Sequence, residues 1–275
     1  MTEPWILVTN DDGVDSPALA PLLGHLAEVA CVRCLVPSRE YSWSSKTLSR
    51  FARLTLKPVQ RGGQAIWTMD GSPADCANVG VYSLGDSRPS LVVSGINIGA
   101  NAGLSFLLSS GTVGAAVEAS LGGVPAAAFS VQMRPEDYER WRRHRDLADL
   151  EGMWLGAAAV TAEIVAEILA GGLPAEASLL SVNMPPDVAL TTPRRFTGVT
   201  ETCYGPFFAR REGGFLEHEY AGLRTVVPHA NGDIEALERG EVALTPLRFA
   251  LDAAPSGADQ ARFERLAPPP GRRPS

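Results

Sequence analysis

Short apolar runs, separated by amphipathic stretches, dominate the first two thirds of the chain. Trp5–Thr9 (WILVT) is apolar throughout, the pattern of a strand buried on both faces. The turn NDDGVDS follows. A helix is expected from Ser16, with Ser16 as N-cap and Pro17 at the first helical position. Leu19, Leu22, Leu23 and Leu26 then recur at helical spacing. Cys31–Pro37 reads as a second buried strand. Strand, helix and strand in that order form a parallel, right-handed βαβ unit.

The pattern continues with a polar, aperiodic loop at 38–50 (SREYSWSSKTLSR). Residues 53–59 and 65–69 read as a strand pair joined by the turn RGGQ. A helix is expected over 72–82, with Pro73 at its first position and Asp75 in its first turn. Residues 90–94 (SLVVS) form a buried strand that opens into the loop GINIGANAGLSFLLSSGT. A helix over 113–121, a strand over 125–131, a long helix over 149–170 and a strand over 178–184 complete the alternation. The expected fold is therefore α/β: a Rossmann-like, mostly parallel sheet with helices on both faces. After residue 186 the texture changes. Residues 191–227 are rich in Gly, aromatic and charged side chains and suit extended arms or hairpins. A short helix over 233–239 and a strand at Val242–Leu247 follow, and the tail from 267 reads as disordered.

Composition narrows the class. A chain of 275 residues with 45% hydrophobic content suits one domain with one sizeable core. The net charge of −7 argues against a duplex nucleic-acid binder. No basic leader precedes the first strand, and the richest apolar run, 155–170, is broken by Glu163 and Glu167. The expectation is a cytoplasmic protein with no membrane partner. Cys31, Cys34, Cys76 and Cys203 make no disulfide framework, and Cys31 and Cys34 read as core residues of the second strand. The four histidines are scattered, no P-loop or G-x-S-x-G elbow is present, and the basic run at 141–145 (WRRHR) reads as a solvated face.

The candidate chemistry lies at strand ends. Asp11 and Asp12 directly follow the first strand, where ligands bind in an open parallel sheet. Adjacent carboxylates repel, and as hard oxygen ligands they suit Mg²⁺ or Mn²⁺. An N-capping turn for the next helix is the plainer alternative. Asn97, after the strand at 90–94, adds a neutral oxygen. Ser109-Ser110-Gly111-Thr112 opens a helix whose free N–H groups and hydroxyls can cradle a phosphate, or simply cap the helix. Ser42, Ser44, Ser45 and Lys46 lie in the polar loop after the second strand. Converging at one end of the sheet, these groups suit water attack on a phosphate ester.

Five segments in order, VTNDDGVDSP (8–17), VPSREYSWSSKTLS (36–49), GSPADC (71–76), LVVSGINIGANAG (91–103) and SSGTVGAAVEA (109–119), resemble the SurE (survival protein E) family of metal-dependent 5′/3′-nucleotidases. VPAAAFS (124–130), SVNMP (181–185) and GEVALTPL (240–247) extend the resemblance over nearly the whole chain. It implies one divalent metal, Mg²⁺ or Mn²⁺, held by Asp11, Asp12, Ser42 and Asn97. It also implies phosphate contacts from Asn101, Ser110, Gly111 and Thr112, with Ser45 at the substrate and Asp12 orienting or deprotonating the water. The implied activity is a phosphoric monoester hydrolase acting on nucleoside 5′- and 3′-monophosphates. The alternatives are a pathway-specific phosphatase for another small ester and a scaffold that kept the fold without turnover. The implied assembly is a homodimer or homotetramer in which arms at 187–266 exchange, around a core at 1–186. Trp43 stands where the family has Gly, Ser109 where Tyr or His is common, Ser38 where Asp is common, and Tyr41 where a basic residue often sits. From this departure Trp43 is expected to stack on a nucleobase or another flat leaving group.

Overall fold

The computed structural model describes residues 4–61, 63–144, 147–220, 222–249 and 253–265. The tail at 267–275 and Gly62 of the RGGQ turn lie outside them. In chain order the first half comprises β1 (Trp5–Thr9), α1 (Leu19–Ala27), β2 (Cys31–Pro37), β3 (Leu56–Arg61), β4 (Gln64–Met69), α2 (Pro73–Ser83), β5 (Leu91–Ile98), α3 (Leu104–Ser109) and α4 (Gly111–Leu121). The second half comprises β6 (Ala126–Val131), α5 (Pro135–His144), α6 (Glu151–Gly171), β7 (Leu179–Met184), β8 (Arg194–Phe196), β9 (Glu201–Cys203), β10 (Phe208–Arg210), β11 (Leu216–His218), β12 (Arg224–Val227), α7 (Asp233–Glu238), β13 (Val242–Leu247) and α8 (Gly257–Phe263).

One nine-stranded sheet runs in the order β3-β4-β2-β1-β5-β6-β7-β13-β8. β1 pairs in parallel with β2 on one side and β5 on the other, so the strand order reverses beside it. This makes the carboxyl end of β1 the topological switch point, where an open α/β sheet leaves a crevice. The apolar run of β1 explains its central place. Ile6 and Val8 enter the core on the α1 and α6 side, and Trp5 and Leu7 the core on the α2 and α4 side. A strand buried on both faces has no room for alternating polarity.

Local chemistry sets the helix starts. Ser72 caps α2 in a reciprocal capping box with Asp75, and Pro73 follows it at the first position. Ser110 caps α4 by accepting from the Val113 N–H at 3.1 Å. α1 departs from expectation: it starts at Leu19 after Ala18, not at Ser16. A turn intervenes, with the Ser16 N–H bonded to the Gly13 carbonyl and the Leu19 N–H to the Ser16 carbonyl.

Other expectations are corrected. Cys31 is exposed at the start of β2, and of the C-x-x-C pair only Cys34 is core. Residues 141–144 of the WRRHR run lie on a helix, α5, with Arg143 and His144 exposed as a solvated face requires, and Arg145 lies outside the described residues. α3 lies inside the stretch expected as a plain loop, because six residues are too short to display a helical period. The sheet also draws on both sides of residue 186. β8 and β13, from the stretch expected to form an exchanging arm, close its edge beyond β7. The hairpin β10–β11 and the ribbon β9–β12 stand outside that sheet, as the texture of 191–227 suggests. α6 is long and apolar enough to cross a membrane by length and composition, but half of that stretch is buried inside the fold.

Candidate active site

Asp11 and Asp12 follow β1 directly at the switch point. Asn10 braces their turn, donating from its side-chain amide to the Gly13 carbonyl at 3.0 Å and accepting the Gly13 N–H at 3.1 Å. Gly13 has φ +83°, and a Cβ there would lie 2.8 Å from the backbone of Arg39, so only glycine allows this loop to pass the one after β2. The Val14 N–H donates to Pro37 and the Tyr41 N–H to the Asp11 carbonyl, which ties the two loops together.

The Asp11 side chain is only 3% exposed. Its Oδ1 accepts a 2.5 Å bond from the Thr112 hydroxyl, at the N-terminus of α4. Burial pushes the carboxyl up from 3.8 to about 6, against the opposing pull of the hydrogen bonds from Thr112, and the charge of Glu40 adds to the rise. The Gly111 backbone passes close by. A Cβ on Gly111 would lie 2.8 Å from the Ser44 hydroxyl and 2.9 Å from Asp11 Oδ2. Asp12 is half-buried and its Oδ2 accepts the Ile98 N–H at 3.0 Å, which docks the β1 loop onto the end of β5.

Asn97 lies within β5, which runs past the expected end at 94. The pairing register with β6 shifts between Ser94 and Asn97, an irregularity of the kind that re-aims side chains beside active sites. Gly95 makes that shift possible, since a Cβ there would lie 2.2 Å from the Phe129 carbonyl oxygen. The Asn97 amide nitrogen donates to the Gly99 carbonyl at 2.6 Å, which leaves its oxygen as the atom available to a cation. Ser42 is exposed and donates to Glu40 Oε1 at 2.6 Å.

The remaining expected residues divide. Ser110, Gly111 and Thr112 form the first turn of α4 beside Asp11, where orphan N–H groups and the positive end of the helix dipole favour an anion. Asn101 is buried and engaged in the fold: its N–H donates to Asn183 Oδ1 at 2.7 Å and its amide to the Ser130 hydroxyl at 2.8 Å. Ser45 clasps α3, its hydroxyl donating to the Leu108 carbonyl and its N–H to the Ser109 carbonyl. Trp43 (φ +60°) makes edge-to-face contacts with Phe106, Tyr204, Phe207 and Tyr220 at 5.0–6.5 Å.

Two residues at the site, Asn10 and Glu40, were not singled out from sequence, and Ser44, named there only as one hydroxyl of the polar loop, takes a more definite place. Asn10 shapes the turn, Glu40 sits between Ser42 and Asp11, and Ser44 rather than Ser45 faces Gly111. The Ser44 hydroxyl is buried with no hydrogen-bond partner among the described residues. A signal for Glu40 existed, since it is the one acid in the polar loop at 38–50.

A divalent cation fits this donor set. Asp11, Asp12, Asn97 and Ser42 offer hard oxygen atoms only. The burial of Asp11 leaves a carboxyl whose ionised form lacks a compensating charge, as its raised pKa records. No group of three or more His, Cys, Asp or Glu is assembled for a metal among the described residues.

Comparison with known proteins identifies the family. A family model described as survival protein SurE matches residues 6–205. The chain is 32% identical over 254 residues to the 5′-nucleotidase SurE of Methanoculleus marisnigri, covering 89% of this chain and 91% of that protein. It is 34% identical over 254 residues to the 5′-nucleotidase SurE of Citrifermentans bemidjiense, covering 90% and 93%. The crystal structure of the SurE protein from Aquifex aeolicus superimposes with a TM-score of 0.72 at 27% identity, covering 94% of this chain and 97% of that one. The switch-point aspartates, the α4 cradle and the doubly covered sheet are thus features of a chain that belongs to the survival protein SurE family.

Proposed function

We propose that this protein is a divalent-metal-dependent phosphomonoesterase that hydrolyses nucleoside 5′- and 3′-monophosphates to nucleoside and phosphate. The observation that carries the reading is the buried Asp11 carboxylate, fixed by Thr112 at the N-terminus of α4 and adjacent to Asp12. The relatives named 5′-nucleotidase support the substrate class. One Mg²⁺ or Mn²⁺ per subunit, held by Asp11, Asp12, Asn97 and Ser42, would neutralise phosphoryl charge and lower the pKa of water.

The chain's own groups account for the rest. The first-turn N–H groups of α4 and the unpartnered Ser44 hydroxyl bind phosphoryl oxygens and hold the phosphorus in line. Asp12, braced by the Ile98 N–H, orients the attacking water and takes its proton. The water oxygen forms the new P–O bond, the ester P–O bond breaks, and the proton ends on the nucleoside oxygen. Glu40 holds Ser42 in place through their 2.6 Å bond. Asn101, bonded to Ser130 and Asn183, supports the loop that leads into α3.

The reading includes a cytoplasmic homodimer or homotetramer. Phe208, Phe215, Leu216, Val226 and Val227 are exposed on β10–β12 and the β10–β11 turn, a run of apolar surface that a second copy would cover. The test is phosphate release from nucleoside monophosphates and simple esters with Mn²⁺, Mg²⁺ or EDTA, beside Asp12→Asn. Metal-dependent release that the variant loses supports the reading. No release from any ester overturns it.

A further inference from the structure

We infer that the nucleoside half of the substrate lies in the cleft on the Asp12 side of the site, between the Ser16–Pro17 turn and Trp141, and not on Trp43. This inference rests on the phosphomonoesterase reading for where the phosphate sits.

The cleft has a volume of about 650 Å³ and is lined by Asp12, Ser16, Pro17, Ile98, Trp141 and Leu147, among others. That size is ordinary for a small-ligand site. It opens on Asp12 and on Ile98, whose N–H binds the Asp12 carboxylate, so an ester oxygen leaving the phosphoryl position enters it directly. Its walls suit a flat, uncharged group. Pro17, Ile98 and Leu147 are apolar, and Trp141 adds an indole that packs partly on the core and lies 5.7 Å from the Tyr138 ring. An aromatic wall of this kind stacks a nucleobase whatever its sequence of donors and acceptors.

Two polar features match the sugar. Ser16 is 4% exposed, and its hydroxyl has no hydrogen-bond partner among the described residues. A buried hydroxyl left unpaired is unfavourable, and a ribose hydroxyl or base edge in the cleft relieves it. Asp15, paired with Arg61 at 3.4 Å, and Glu40 also line the cleft beside Arg39, and their carboxylate oxygens can accept hydrogen bonds from sugar hydroxyls. Trp43 lies outside this cleft, in edge-to-face contact with four rings.

The experiment measures adenosine binding by calorimetry, which needs no turnover, on the full chain and on Trp141→Leu, Trp141→Phe, Ser16→Ala and Trp43→Leu. Loss of one stacking partner should weaken adenosine about tenfold in Trp141→Leu, with most of the affinity kept in Trp141→Phe and part of it lost in Ser16→Ala. In turnover, Trp141→Leu should raise KM for AMP by a similar factor and leave ribose 5-phosphate, which has no base, unchanged. The inference is overturned by wild-type protein that binds no adenosine, or by adenosine affinity that follows Trp43→Leu rather than Trp141→Leu. Equal losses for AMP and ribose 5-phosphate in Trp141→Leu overturn it as well, because they mark a structural role. If no ester is hydrolysed while adenosine binding still depends on Trp141, the phosphatase reading falls and the nucleoside site stands.

Discussion

Replacing Asp11 with Asn should stabilise the metal-free protein while abolishing its phosphatase activity. Burial lifts the Asp11 carboxyl from 3.8 to about 6. A carboxyl whose folded pKa is raised stabilises the fold fully only below its unfolded value, and this stability is lost as pH rises through the folded value. At pH 7.5 the ionised, buried Asp11 therefore destabilises the metal-free fold. A shift of about two units, at about 1.4 kcal/mol each, sets the ceiling near 3 kcal/mol. Asn keeps an oxygen for the Thr112 hydroxyl and carries no charge, so it escapes this penalty. Unfolding in urea with EDTA, at pH 4 and pH 7.5, measures the effect. The variant should gain up to about 3 kcal/mol over wild type at pH 7.5 and about nothing at pH 4. Mn²⁺ or Mg²⁺ should raise the melting temperature of wild type and leave that of the variant unmoved. A variant no more stable than wild type at pH 7.5, or a gain equally large at pH 4, refutes the reasoning. Such a trade of stability for function is expected where a site holds a charge ready for its ligand.

Other perturbations read the same geometry. Gly111→Ala puts a Cβ 2.8–2.9 Å from Ser44 Oγ and Asp11 Oδ2, and should cut kcat/KM about a hundredfold or more with circular dichroism unchanged. At limiting metal, phosphate release should fall as pH drops below about 6, because Asp11 then binds a proton in place of the cation, and excess metal should move that limb to lower pH. Trp43→Ala removes four edge-to-face contacts worth about 0.5–1.5 kcal/mol each before non-additivity, so amide exchange across 204–220 should accelerate while the sheet stays protected.

Much of the architecture was legible because burial writes itself into periodicity. WILVT and SLVVS carry no polar alternation, which happens only where both faces of a strand are covered. The helix at 73–83 announced itself through Ser72, Pro73 and Asp75, all of which act locally. α5 was hidden because charge covers most of its face, and α3 because it has too few residues to repeat. The start of α1 was misjudged because a Ser-Pro pair serves equally in the turn that the structure contains.

The candidate site divides along the same line. Sequence alone determined the residue types and their places near strand ends: Asp11 and Asp12 after β1, Asn97 just beyond the strand expected at 90–94, and Ser110 to Thr112 at the head of α4. Local order decides these, and so does the rule that parallel strands present one common end. Tertiary structure alone decided what each group faces. Contacts such as Thr112 to Asp11 and Ile98 to Asp12 join residues 101 and 86 positions apart in the chain. It gave Ser44 the place expected of Ser45, engaged Asn101 in the fold, and set Trp43 among rings brought from the far end of the chain. It also opened the cleft beside Trp141. Sequence spacing holds no information about such meetings, because they depend on how the loops after β1, β2 and β5 pack against one another across the switch point.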